Sequence, residues 1–204
     1  MTALTITPVK LPPQSKAGTV RLSPATLTVG TPIMTSTGER PVEDLKPGDR
    51  IVTKDLGLQT LKFVAFRDTD LRQNPDRTPL RIPANAFGDE RPTQDLFVAP
   101  DQRIALRHPM FDVLFTSREV LAMAQDLAGF GGIEAITGLR AITYVSLGFL
   151  QHHLIYSGNM AFDLGPKCQK TARPTLARDE ARMAISMMQP SVTPQHAPAG
   201  FPLH

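Results

Sequence analysis

The sequence predicts an all-β domain, and three features carry that expectation. Short runs of β-branched and aromatic residues recur at close spacing, with turn residues between them. The 19 prolines among 204 residues disfavour a mostly helical chain, because proline removes an amide donor and clashes inside helices. One segment alone, Leu176 to Met188 (LARDEARMAISMM), reads as a convincing helix.

Residues 1–23 are Pro-rich and polar and are expected to be an extended or disordered tail. Val29 to Met34 reads as a strand and Thr37-Gly38-Glu39 as a hairpin turn. Val42 to Asp49 reads as a short helical turn ended by Pro47-Gly48. Arg50 to Thr53 is a second strand, Asp55-Leu56-Gly57 a turn, and Gln59 to Arg67 a third strand. Asp68 to Pro79 is polar and predicted as a loop, followed by a strand at Leu80 to Ile82. Pro83 to Gly88 reads as one turn of helix. Leu96 to Val98 and Ile104 to Arg107 flank a turn at Pro100-Asp101-Gln102. Phe111 to Thr116 is strand-like, and Glu119 to Leu127 fits either a strand or a helix. Strands follow at Ile133 to Ile136, Ala141 to Phe149 and His153 to Tyr156, the last turned by Ser157-Gly158-Asn159.

After Gly165 the composition changes, and residues 166–204 read as a basic, Pro-rich tail with a helix near 176–188. Asp179 and Glu180 near the start of that helix suit its dipole. Its apolar residues Leu176, Met183, Ile185, Met187 and Met188 form no clean stripe. Residues 189–204 are expected to be disordered.

The apolar fraction of 41% is enough for one core. No apolar run approaches the ~18 residues of a membrane helix. The start, MTALTITPVKLPP, lacks a basic segment followed by a long apolar one, so no secretion signal is read and a cytoplasmic location is the default. A single Cys168 excludes an internal disulfide. The net charge of +3 belongs to the ends: residues 24–165 hold 14 basic and 17 acidic side chains. A nucleic-acid domain more often carries its basic stripe on the folded part, so nucleic acid is not an expected partner. Ligand-spaced Cys/His clusters and phosphate loops are absent, so no metal and no cofactor are expected.

The stretch Leu27 to Asp55 (LTVGTPIMTSTGERPVEDLKPGDRIVTKD) resembles the opening of a Hint domain, the self-processing module of hedgehog proteins and inteins. Gly48 supplies a tight turn there, Val42 and Leu45 pack inward, and Ile51 and Val52 enter the sheet. Asp95 to Arg107 (DLFVAPDQRIALR) is similar to the second core block of the bacterial hedgehog/intein-type subfamily. Ile142 to Tyr156 (ITYVSLGFLQHHLIY) resembles the closing strands. The resemblance covers about residues 24–165. It implies a horseshoe of curved antiparallel strands with pseudo-twofold character.

It also implies a chemistry. In the family a thiol or hydroxyl attacks the preceding carbonyl, a His of the second block donates to the departing nitrogen, and a Thr or Ser supports the scissile bond. In this chain the nucleophile position falls on Thr26, the second-block His position on Gln102, and the Thr/Ser position on Ala99. Ser146 and Leu150 stand where His and Asp are frequent, and His152 falls on a His position of the closing block. Amide and methyl side chains cannot relay protons near pH 7. The implied function is an autoprocessing domain that has lost self-cleavage and serves as a structural or interaction module. The alternative is an active autoproteolytic domain cleaving before Thr26 by an N-to-O acyl shift, with His152 or His108 as donor.

Simpler roles stand beside these. Thr26 suits an ordinary turn or strand residue, and Gln102 a turn residue beside Asp101. His152 and His153 are adjacent in a strand, point to opposite faces and cannot easily share a metal. Tyr156 suits the core. Cys168, between Lys167 and Lys170, reads as an incidental tail thiol. The basic tails are the expected place for protein partners or acidic surfaces; the sequence leaves the oligomeric state open.

Overall fold

The computed structural model describes residues 26–165 and 173–188, together with the backbone of Arg21–Leu22. The expectations for the rest of both tails, Cys168 included, lie outside the described residues. The first strands are β1 (Arg21–Leu22), β2 (Leu27–Thr28), β3 (Pro32–Thr35), β4 (Gly38–Pro41), β5 (Arg50–Thr53) and β6 (Gly57–Thr60). Next come β7 (Phe63–Asp70), β8 (Leu80–Ile82), β9 (Leu96–Val98) and β10 (Arg103–Arg107). The last are β11 (Glu119–Met123), β12 (Glu134–Ala135), β13 (Ala141–Phe149), β14 (Leu154–Ser157) and β15 (Met160–Asp163). Among the described residues two α-helices accompany them, α1 (Phe111–Phe115) and α2 (Arg178–Met188). The fold is therefore all-β with a short C-terminal helix.

The strands form two antiparallel sheets. One runs β1-β13-β2-β9-β8-β12, with β7 also on β13; the other runs β11-β10-β15-β14-β5-β3-β4, with β6 also on β5. The long β13–β7 pair runs from Ala141↔Asp70 to Gly148↔Phe63. Both sheets feed one apolar core. Leu27, Ile82, Val98 and Leu147 enter it from the first sheet, and Ile33, Ile51, Ile104, Ile155 and Phe162 from the second. Burying a side chain of this size contributes about 1.5–3 kcal/mol.

The VEDLKPGD segment folds as its residues suggest. Val42 and Leu45 are buried. Gly48 takes φ +103° and its amide donates to Leu61 O over 2.8 Å. Asp49 Oδ2 accepts from Lys46 N at 2.8 Å and from Arg40 Nη1 at 3.1 Å. A positive φ there favours glycine.

Several elements differ from expectation. The single strand expected over Gln59 to Arg67 is two, because the chain crosses between sheets at Leu61-Lys62: Leu61 N donates to Asp49 O, and Lys62 N to Gly148 O, each at 2.8 Å. The second strand then runs to Asp70, into the expected loop. Phe111 to Thr116 is helical rather than extended. Phe111 and Phe115, one helical turn apart, meet edge to face at 5.6 Å, and Thr116 closes the turn at φ +52°. Pro83 to Gly88 forms turns and no helix. Glu119 to Leu127 divides between β11 and a 3-10 turn at Ala124–Leu127. The strand β15, not anticipated, completes a hairpin with β14.

Residues 173–188 are packed on the domain. Leu176, Ala181 and Ala184 join the core. Among the described residues no helix is long and apolar enough to cross a membrane, and no group of three or more His, Cys, Asp or Glu is placed to hold a metal.

Candidate functional site

Sheet pairing places Thr26 opposite Ala99. β2 meets β9 at Leu27↔Val98, and one residue further Ala99 N donates to Thr26 O over 2.9 Å. The chain then turns through Pro100 and Asp101, with Gln102 N donating to Ala99 O at 3.0 Å. Proline suits the second position of such a turn. Arg77 Nη1 pairs with Asp101 Oδ1 at 2.7 Å from outside. The turn thereby aims the Gln102 side chain inward, where it is 0% exposed.

Thr26 Oγ1 donates to Gln102 Oε1 over 2.5 Å. Gln102 Nε2 donates to Arg103 O at 2.7 Å and to Asp163 O at 3.1 Å. The amide is thus fixed at both ends by buried polar partners, as buried amides require.

A charged layer lies behind it. The β10–β15 register sets Arg103 opposite Asp163, and Arg103 Nη2 lies 2.8 Å from Asp163 Oδ2 with both side chains almost fully buried. Arg103 Nη2 also donates to Gly165 O at 2.5 Å. The other carboxylate oxygen, Asp163 Oδ1, accepts from Gly165 N at 2.8 Å and bonds His152 Nε2. A carboxylate only accepts, so Nε2 carries the proton. The β14–β15 hairpin explains the approach. Leu154 pairs with Asp163, Leu164 N donates to His153 O at 3.2 Å, and His152 and Gly165 face each other beyond. A Cβ on Gly165 would sit 2.5 Å from His152 Nε2.

The structure thus brings together Thr26, Ala99 and Gln102, with His152 joined through Asp163. His153 turns the other way, buried edge-on against Phe149 at 5.3 Å. Burial, with the charge of His152 adding to it, holds its imidazole below the usual 6.5. Ser146 is buried on β13 opposite Ala65, and Leu150 is exposed. His108 lies past the far end of β10, where its Nδ1 accepts from Met110 N at 3.3 Å. The five residues of β10 lie between it and Gln102, a span of roughly 20 Å. Arg103, Asp163 and Gly165 were not singled out from sequence. The available signal was Asp163 itself, a charge inside the apolar run MAFDLG, since buried carboxylates are rare unless paired.

Chemically, the Thr26 hydroxyl proton is directed at an amide oxygen, which is not a base. The titratable pair, His152 and Asp163, meets Gln102 only through the main-chain carbonyl of Asp163.

The described residues form an all-β module of two antiparallel sheets, with Thr26 facing the turn through Pro100 and Asp101. The Hint domain model matches residues 25–163, and the chain belongs to the Hint domain family. Solved structures with similar folds include a splice-inactive variant of the AceL NrdHF class 3 split intein, at 14% identity, 70% of this chain and 99% of that chain, TM-score 0.44. A bacterial intein-like domain from Clostridium thermocellum shares 14% identity over 69% of this chain and 98% of its own, TM-score 0.43. The gp41-1 intein shares 10% over 71% and 99%, TM-score 0.41. No curated protein matches the chain in sequence.

Proposed function

We propose that this Hint domain no longer cleaves its own chain and is retained as a structural or interaction module. The observation that supports this most is the 2.5 Å hydrogen bond from Thr26 Oγ1 to Gln102 Oε1. A hydroxyl nucleophile needs a neighbouring base or a lowered pKa. Gln102 supplies neither, and its NH₂ group is committed to the carbonyls of Arg103 and Asp163. Ala99 contributes only a methyl group and its backbone. Loss of a general acid alone slows such reactions by about 10²–10⁴-fold.

The test is intact mass of the purified full-length chain during prolonged incubation with dithiothreitol or hydroxylamine. An unchanged mass is expected. A fragment beginning at Thr26 overturns the proposal and favours the acyl-shift reading.

A further inference from the structure

The second sheet ends on β11, and an edge strand offers backbone groups to any extended chain. Here the edge is occupied by residues from beyond the family match. Leu121 N donates to Pro174 O, and Leu176 N to Leu121 O, each at 2.8 Å. This forms a parallel bridge between Leu121 and Thr175.

Side chains fit the same path. Arg173 takes Asp55 with both terminal nitrogens, at 2.9 and 2.6 Å, while its Nε bonds Glu119. Lys54 reaches Glu119 from the other side. The hydrogen bond to Asp55 leads the effects that raise the Arg173 pKa above its usual value. Leu176 is 5% exposed. The chain then becomes α2, where Glu180 Oε2 accepts from Ala177 N at 2.7 Å and closes the helix start. Ala181 and Ala184 are fully buried, and Arg178 pairs with Asp126 at 3.0 Å.

This is peptide recognition carried out within one chain. Main-chain bonds run along a sheet edge, an arginine fork enters a carboxylate slot, and a small-residue helix face packs against the domain. The charges are complementary: Asp55, Glu119 and Asp126 on the domain meet Arg173 and Arg178 on the segment. Residues 166–172 alone join the two in sequence.

We propose that the β11 edge and its Asp55–Glu119 slot form a docking site for an extended-then-helical segment of the type Arg-Pro-Thr-Leu. A second copy of this chain can then supply residues 173–188 in trans. The proposal does not depend on whether the chain cleaves itself.

The experiment places a protease recognition sequence within residues 166–172 of the full-length protein and cuts it after purification. The two pieces are expected to co-elute in size-exclusion chromatography. A fluorescent peptide of residues 173–188 should exchange into the cut protein, and its Arg173→Glu version should bind about tenfold or more weakly. Pieces that separate while the domain stays folded by circular dichroism overturn the proposal, as does equal binding of the two peptides. Should the cut domain unfold, the readout is the uncut protein, as two differently tagged copies mixed at high concentration. Mixed dimers that Arg173→Glu removes support exchange; monomers throughout overturn it.

Discussion

The Thr26 hydroxyl donates to the side-chain oxygen of Gln102 across 76 residues of sequence, at 2.5 Å, with both residues buried. The bond joins the start of β2 to the turn before β10, and Gln102 carries it on to β15 through Asp163 O. Gln102 is therefore a structural tie between the two sheets.

Replacing Gln102 with Ala should destabilise the fold. The variant removes an acceptor from Thr26 and a donor from two carbonyls in a buried place, a loss of about 1–3 kcal/mol. Urea unfolding of wild type and Gln102→Ala checks this. An unchanged midpoint would mean that solvent or neighbours replace the amide without cost.

The Arg103–Asp163 pair should matter more. Asp163→Ala takes the carboxylate from a nearly buried guanidinium, and breaking buried pairs costs about 3–5 kcal/mol. Denaturant midpoints should fall further for Asp163→Ala than for Gln102→Ala. The reverse order would show that the charged layer is not what holds β10 to β15.

Gly165 and His152 should behave as a coupled pair. A methyl group at Gly165 meets His152 ring atoms at 2.5–2.9 Å, and the ring is tied to Asp163. Overpacking of this kind costs about 1–3 kcal/mol. Gly165→Ala should be destabilising in wild type and nearly neutral in a His152→Ala background. Additive effects in this double-mutant cycle would contradict the packing described.

Acid should weaken the protein in two separate windows. The His153 pKa is lowered below 6.5, so above that value its contribution is fully present. As pH falls below 6.5 the unfolded chain takes up the proton first, and stability is lost down to the folded-state pKa. Asp55 is lowered below 3.8, first by its hydrogen bond with Arg173. Its contribution is present above 3.8 and is lost as pH falls through the folded-state value. Unfolding midpoints against pH should lose the upper step in His153→Phe and show a shallower lower step in Asp55→Asn. Curves that keep both slopes would place the titrations elsewhere.

The legible part of this protein was local. Val42, Leu45 and Gly48 announce their turn within one phrase, and the sequence singles out Thr26, Ala99 and Gln102 through the neighbours that mark their blocks, while their mutual contact is visible only in the fold. Asp163 was not, since its partners Arg103 and His152 meet it only through the β10–β15 pairing and the end of the β14–β15 hairpin. The apolar run Phe111 to Phe115 suggests a strand in sequence, yet Val113 and Leu114 are exposed and Phe111 and Phe115 meet one helical turn apart. The helix at 176–188 shows no clean apolar stripe in sequence, because the fully buried part of its face is made of Ala181 and Ala184, with Ile185, Met187 and Met188 only partly buried against the core.

The most direct test of the central claim is a time course of intact mass for wild type beside Thr26→Ala, each incubated with dithiothreitol or hydroxylamine. Both chains are expected to stay whole, wild type at 22.3 kDa. Fragments split between Ala25 and Thr26 in wild type, and none in Thr26→Ala, would show that Thr26 is a working nucleophile and contradict the account.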